Sequence, residues 1–192
     1  VAVVTNVAPN HLDVHKDMEE YIEAKRNVLR HQNAFSVAVL NADNVITKSM
    51  AELVRGELRW FSHLNPVNNG AYLREDGMLC YCEHGKTTEL FHRSEIKIPG
   101  LHNVENYLTA IAATWGEVSL ETMYSVAKNF GGVEHRIEYC GTIDGVRYYN
   151  DSKGTNPDAA IKGIQAMNRK TLLIGGGYDK DSEYEEWIQS FD

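Results

Sequence analysis

The apolar positions of this chain fall into two kinds of segment. Some are short continuous runs: VAVVTNV (1–7), FSVAVL (35–40) and TLLIG (171–175). Runs of this length, bounded by turn residues, suit parallel strands buried on both faces. Others repeat at helical spacing. Met18, Tyr21, Ile22, Lys25, Val28 and Leu29 share one face of a helix expected over Asp17–Arg30. Val104, Tyr107, Leu108 and Ile111 do the same for a helix over Asn103–Trp115. Helices are also expected at Asp43–Val54, Leu120–Phe130, Pro157–Met167 and from about Asp181, Pro157 suiting a first helical position. Between Arg59 and Ile98 the pattern changes to short, irregular strands, among them Met78–Glu83 and Thr88–Phe91 around a turn at His84-Gly85. Gly131-Gly132 ends a helix and precedes a new strand series, Arg136–Gly141 and Val146–Asn150 about an Asp144-Gly145 hairpin turn. Helices alternating with apolar strands on both sides of that glycine pair predict an α/β chain in two parts, residues 1–132 and 133–192.

Composition narrows the classes. Of 192 residues, 43% are hydrophobic, enough for one large domain or a medium one and part of another. Nineteen Lys and Arg against 27 Asp and Glu leave a formal charge of −8, which argues against a general binder of nucleic acid or anionic membrane and leaves room for a local basic pocket. No run approaches the roughly 18 to 20 apolar residues of a membrane span. Three cysteines, an odd count, suggest reduced thiols and a cytoplasmic setting. The first residues lack a basic segment and a cleavage site, and read as a strand entered midway. With Phe191-Asp192 stopping just after a helical segment, the expectation is a piece of a longer chain.

Three segments could carry chemistry. Asn150-Asp151-Ser152-Lys153-Gly154-Thr155-Asn156-Pro157 joins the end of a strand to the start of a helix, where α/β proteins place ligands. Helix N–H groups, the helix dipole and the Lys153 ammonium favour a phosphate or carboxylate there, and Asp151 could accept from a ribose hydroxyl. A plain polar turn with Asn156 as helix cap is the alternative. Asn103 and Asn106, three apart at a helix start, share a face and could match the edge of a purine; capping, with Asn103 or His102 satisfying free N–H groups, is the simpler reading. His11 and Asp13 follow the first strand and suit a Mg²⁺ ion or its water, although a loop His is more often structural. Lys25 interrupts an apolar stripe. Either its head snorkels to solvent, or it is buried, loses its proton and can take up CO₂ as a metal-binding carbamate.

Other signals dissolve on inspection. Gly85-Lys86-Thr87 resembles the end of a phosphate-binding loop, but Cys80 stands where its first glycine belongs. Cys80-x-Cys82 has no second ligand pair at a zinc spacing. Gly175-Gly176-Gly177 lacks the full dinucleotide fingerprint.

Taken in order, the segments Asn6–Asp13, Tyr21-x-x-Ala24-Lys25, Gly100-x-His102-Asn103-x-x-Asn106, Gly132-x-x-His135-Arg136, Asn150-Asp151-Ser152-Lys153-x-Thr155-Asn156 and Gly176-Gly177-x-x-Lys180 resemble the Mur ligase family. The Asn150–Asn156 segment looks like the branch that adds D-glutamate. The resemblance implies that residues 1–132 are the later part of a central ATPase domain, and 133–192 the first part of a Rossmann-like C-terminal domain. It implies an ATP- and Mg²⁺-dependent ligase of peptidoglycan synthesis, joining D-glutamate to UDP-N-acetylmuramoyl-L-alanine through an acyl phosphate. His11 and carbamylated Lys25 would then serve the metal, and Asn103 and Asn106 would meet adenine. Arg136, Asp151 and Lys153 would meet the rest of the nucleotide, and Thr155 and Lys180 the D-glutamate carboxylates. The family's phosphate-binding loop would lie upstream of Val1. Asn10 departs from the Asp that commonly precedes the family's His. The rivals are another Mur ligase, folylpolyglutamate synthase, or a non-catalytic nucleotide-binding module.

Overall fold

A computed structural model describes residues 1–8, 15–178 and 183–191. The chain divides into two compact units, one of residues 1–96 with 104–128 and the other of 97–103 with 129–192. The chain enters the second unit for the last time at residue 129, just ahead of the glycine pair at 131–132.

The first unit is built on one six-stranded sheet in the order β1 (Ala2–Val4), β2 (Val37–Asn41), β3 (Glu57–Ser62), β4 (Gly70–Leu73), β5 (Met78–Glu83), β6 (Lys86–His92). The pairs from β1 to β4 are parallel, and β4–β5–β6 are antiparallel. β2 lies between two parallel partners, and Ala38, Val39 and Leu40 are wholly buried. That double burial is why its sequence is continuously apolar instead of alternating.

Parallel neighbours usually need a long crossover, yet β3 reaches β4 through residues 63–69 alone. The register explains it. Only Trp60–Ser62 pair with Gly70–Tyr72, so the chain has to return by about 7 Å, two residue steps of strand. The sharp re-entry needs Gly70: its φ is +136°, and a Cβ there would stand 1.9 Å from the Trp60 carbonyl oxygen. The β5–β6 turn uses His84 and Gly85, both at positive φ (50° and 77°), the conformation that matches the twist of a tight hairpin.

Helix α1 (Met18–Arg30) begins where Asp17 accepts from the Glu20 N–H, and it buries Tyr21 and Leu29 against β1 and β2. The helix expected over 43–54 is a short α2 (Val45–Ser49) capped by Asn44, running on as one tight 3-10 turn through Leu53. Helix α3 (Leu101–Thr114) buries Val104, Tyr107, Leu108, Ile111 and Ala112. Its last turn is tied to β3, because Arg59 Nη1 donates to the carbonyls of Ala112 (3.1 Å) and Trp115 (3.0 Å). Beside it the Trp115 ring stacks on Tyr81 at 3.8 Å between centroids, and burial pushes the Tyr81 phenol up to about 12. Helix α4 (Leu120–Asn129) packs Met123 and Ala127 inward, and Tyr107 donates to its Val126 carbonyl.

The second unit holds the hairpin β7 (Glu138–Ile143) and β8 (Val146–Asn150), then α5 (Pro157–Gln165) and a short α6 (Glu185–Gln189). Asp144 and Gly145 form the expected turn, with φ of 51° and 81°. The reading of 171–175 as a buried strand is corrected: the segment has no strand partner, and Leu172 and Ile174 are 88% and 91% exposed. β7 and β8 pair only with each other among the described residues, so the run has no ladder to join. Its apolar character was correctly read, but strand formation depends on a neighbour that periodicity does not report.

The thiols test the burial of β5. Cys80 and Cys82 are buried, and burial raises the Cys80 thiol, whereas Cys140 is exposed. Alkylation of the native chain with iodoacetamide is expected to label Cys140 and spare the other two until denaturant is added. Mass spectrometry showing Cys80 modified as fast as Cys140 would contradict the fold.

Candidate functional site

In the first unit, β1, β2 and β3 are parallel, so their C-terminal ends share one edge of the sheet. This is the edge at which open α/β sheets take ligands. Its loops are cross-tied. Asn44 Oδ1 accepts from the Thr47 N–H while its Nδ2 donates to Asn6 Oδ1 at 2.7 Å, and Asn41 Nδ2 donates to the Thr5 carbonyl. Asp43 accepts from Ser62 Oγ (2.6 Å) and from the His63 N–H (2.7 Å). The His63 ring nitrogen Nδ1 lies 3.1 Å from Asp43 Oδ2 and 2.7 Å from Oε1 of Glu105, on α3. The next residue, Asn106, is exposed. Asn103 is half-buried, and its amide donates to the Pro99 carbonyl, so the chain itself already uses part of that side chain.

Lys25 is exposed rather than turned inward. Its ammonium stands 5.1 Å from the centre of the Tyr21 ring on the preceding turn of α1. A lysine stem is long enough for its head to leave an apolar stripe and still lie near an aromatic ring, and that is the contact it makes. His11 lies outside the described residues, as does Lys180.

In the second unit, the end of β8 and the start of α5 are knotted to the segment before β7. Asp151 Oδ1 accepts from the Ile137 N–H at 3.1 Å, and the Lys153 N–H donates to the His135 carbonyl at 3.0 Å. Asn150 Nδ2 donates to His135 Nδ1 at 2.8 Å, and Glu138 Oε2 accepts from the His135 N–H at 2.8 Å. Arg136, exposed, is thus held between two residues at positive φ, His135 (67°) and Ile137 (46°). A β-branched residue in that region is a genuine outlier, costing about 1–3 kcal/mol, and the bond from Asp151 is one that offsets it. Asn156 caps α5 by accepting from the Ala159 N–H, with Pro157 at the helix start as expected. Lys153 and Thr155 are exposed, and Asp151 is half-buried.

Two glycines make room for the Asp151 carboxylate. A Cβ at Gly154 would stand 2.9 Å from its Oδ2, and one at Gly163 only 2.7 Å. A glycine inside α5 costs helix stability and was a signal available in the sequence. His102 shares this neighbourhood: burial lowers its pKa, Asp151 works against that shift, and Lys162 and Arg136 reinforce it. Glu138 and the Asp43–His63–Glu105 group were not anticipated, the latter because positions 43, 63 and 105 share no local spacing.

Residues 1–114 match the Mur ligase middle domain. The chain belongs to the Mur ligase family. A UDP-N-acetylmuramoylalanine–D-glutamate ligase of Clostridium kluyveri is 46% identical over 185 residues, covering 96% of this chain and 39% of that protein. The enzyme of the same name from Acetivibrio thermocellus is 48% identical over 185 residues, 96% of this chain and 40% of its own. This Mur ligase chain thus spans about two-fifths of the length of those relatives. Among solved structures, MurF from Acinetobacter baumannii superposes with a TM-score of 0.65 at 19% identity, over 87% of this chain and 37% of that one. A pseudomurein peptide ligase type C from Methanothermus fervidus gives 0.64 at 18% identity, over 88% and 41%. At such identities these two speak for the fold, and they bear out the α/β Mur-ligase architecture.

The Asp151 cradle yields a double-mutant test. Alanine at a helix-interior glycine ordinarily adds about 1 kcal/mol of stability. Gly163→Ala is expected to forfeit that gain in the native chain and to recover it in an Asp151→Ala background, as read by thermal denaturation of the four chains. Equal stabilisation in both backgrounds would show that Gly163 does not serve the carboxylate.

Proposed function

We propose that this chain is the nucleotide- and D-glutamate-handling part of an ATP-dependent ligase that joins D-glutamate to UDP-N-acetylmuramoyl-L-alanine in peptidoglycan synthesis, a cytoplasmic reaction. The observation that carries the reading is the knot at Asp151. A half-buried carboxylate at a strand end is fixed beside two exposed cations, Arg136 and Lys153, at the start of a capped helix. The likeness to D-glutamate ligases along nearly all of the chain supports the choice of branch. In this reading residues 1–132 belong to the central ATPase domain and 133–192 to the Rossmann-like domain, with Arg136 near the joint.

The donor set fits a nucleotide. Asn103 and Asn106 would face adenine, Asp151 would accept from a ribose hydroxyl through a lone pair the Ile137 N–H leaves over, and Arg136 and Lys153 would meet phosphate oxygens. Thr155 and Lys180 would hold the D-glutamate carboxylates, orienting the amine toward the activated carboxyl while the closed site excludes water. Cations aimed at phosphate oxygens stabilise the charge that develops as phosphate is displaced from the acyl carbon. Mg²⁺ fits less directly: among the described residues no group of three or more His, Cys, Asp or Glu side chains is arranged to hold a metal. His11 and Lys25, the latter as its carbamate, are the residues that would hold the metal.

The activity is tested in a chain spanning the full length of the relatives, supplied with ATP, Mg²⁺, UDP-N-acetylmuramoyl-L-alanine and one amino acid at a time. Amide formation with D-glutamate is expected, reduced more than about tenfold by Asp151→Ala, the loss of a charge-assisted contact of some 1.5–3 kcal/mol. Preference for L-glutamate on a folate, or for another amino acid, would overturn the assignment. The 192 residues contain no GxxxxGK[ST] sequence, so the chain by itself is expected to show no Mg²⁺-dependent ATP hydrolysis. Measurable turnover by it would contradict that division of labour.

A backbone test addresses the joint. Gly132 has a φ of +98°, and an added Cβ would press on Ile98 at 3.3 Å. Gly132→Val is therefore expected to strain the segment by about 1 kcal/mol or more, and in the longer chain to lower turnover more than nucleotide affinity. Equal losses in both, measured by steady-state kinetics and calorimetry, would remove the joint from the mechanism.

A further inference from the structure

The Asp43–His63–Glu105 group has no part in the roles assigned above, yet it sits at the ligand-binding edge of the sheet. Side-chain exposures of 8%, 19% and 30% make it a mostly buried set. Asp43 is immobilised first, by the Ser62 hydroxyl and the His63 N–H. The His63 ring then lies between that carboxylate and Glu105, with Nδ1 shut off from solvent and within 3.1 Å of an oxygen of each, aligned squarely with neither. A lone pair facing two carboxylates would be repelled, so these surroundings favour the tautomer with its proton on Nδ1.

The consequence lies on α3. Arg59 lies within β3, and His63 is the residue immediately after the strand ends at Ser62. Arg59 holds the Ala112 carbonyl and His63 the Glu105 carboxylate, seven residues or about 10 Å apart along α3. β3 and the residue that follows it therefore grip the helix at two points, and two points fix both its axial position and its rotation. The grip at Glu105 is one residue from Asn106.

We propose that His63 is a positioning residue for the nucleotide subsite: its ring, clamped between Asp43 and Glu105, sets where α3 presents Asn106. The link to nucleotide rests on the adenine role proposed for Asn106, whereas the setting of the helix does not.

The test uses the ¹⁵N-labelled chain with His63→Ala, the near-isosteric Glu105→Gln, and His63→Asn, whose amide nitrogen falls close to the position of Nδ1. Expected in His63→Ala and Glu105→Gln are shifts of the Asn106 side-chain amide and of the backbone amides of 104–107, with those of 111–115 at the Arg59 grip unmoved. His63→Asn is expected to bring the Asn106 signals most of the way back, which a general loosening of the fold would not do. ADP titrated into the same samples is expected to bind about three- to tenfold more weakly to His63→Ala, the worth of one displaced hydrogen bond, and to recover in His63→Asn. Should His63→Ala fail to fold, Glu105→Gln carries the same readout. Unmoved Asn106 signals in the folded variants would overturn the positioning role. Moved signals with no ADP-induced shift anywhere in α3 of the unaltered chain would overturn its nucleotide half alone, and the adenine reading with it.

Discussion

Strand β3 is the member on which the rest of the first unit depends. It pairs in parallel with β2 on one side and β4 on the other, and Arg59 within it and His63 just past its end both reach α3. Arg59 does this with one guanidinium. Its Nε and Nη2 take the Glu57 carboxylate while Nη1 satisfies two carbonyls of the last turn of α3, where a helix leaves acceptors unpaired and its dipole favours a cation. The Glu57 bond raises the Arg59 pKa and lowers that of Glu57, in each case against the cost of burial. A cation that is only 12% exposed is costly to bury, and here that cost is offset because every direction of its fork meets an oxygen.

Most of the elements in the two units were legible because each advertises itself locally. The β2 run is apolar because both faces are covered, the α3 stripe repeats at helical spacing, and Asp17, Asn44 and Asn156 each cap the helix they precede. Legibility fails where an element needs a partner from elsewhere. TLLIG reads as a strand and has no ladder among the described residues. Lys25 reads as inward because its Cα lies on the stripe, but its last atoms are free to leave it. The Asp43–His63–Glu105 group is the extreme case. Three residues with no mutual spacing meet because two parallel strand ends and a helix start share one edge of a sheet, which only the topology reveals.

The same edge logic separates what the family resemblance conveyed from what the structure adds. The resemblance pointed to Asp151, Lys153 and Arg136 as isolated positions. The structure makes them one object, since Asp151 holds the Ile137 backbone and Lys153 holds the His135 carbonyl, and Arg136 is the residue between. The supporting parts are unremarkable in sequence: a glycine inside a helix, and a glutamate that accepts from a backbone N–H. Such parts are invisible to a motif because their role is to leave space or to satisfy a donor, not to touch a ligand.

The strain at Ile137 gives that object a direction of cause. A β-branched residue does not adopt φ of 46° without compensation, and one bond that holds its N–H is to the carboxylate proposed to meet the ribose. Asp151 therefore cannot follow a ligand by rotating freely: Oδ1 is committed to Ile137, and Oδ2 is walled by the backbone at Gly154 and Gly163. A ligand hydroxyl must come to the carboxylate, at a lone pair whose direction the knot has already fixed. In the proposed role the orienting cost would be met when the chain folds rather than when nucleotide binds, and such preorganisation would let a single carboxylate at a strand end select a geometry. Loosening the knot at Gly163 or Glu138 would leave every residue proposed to contact ligand in the sequence and still spread the Asp151 carboxylate over more orientations.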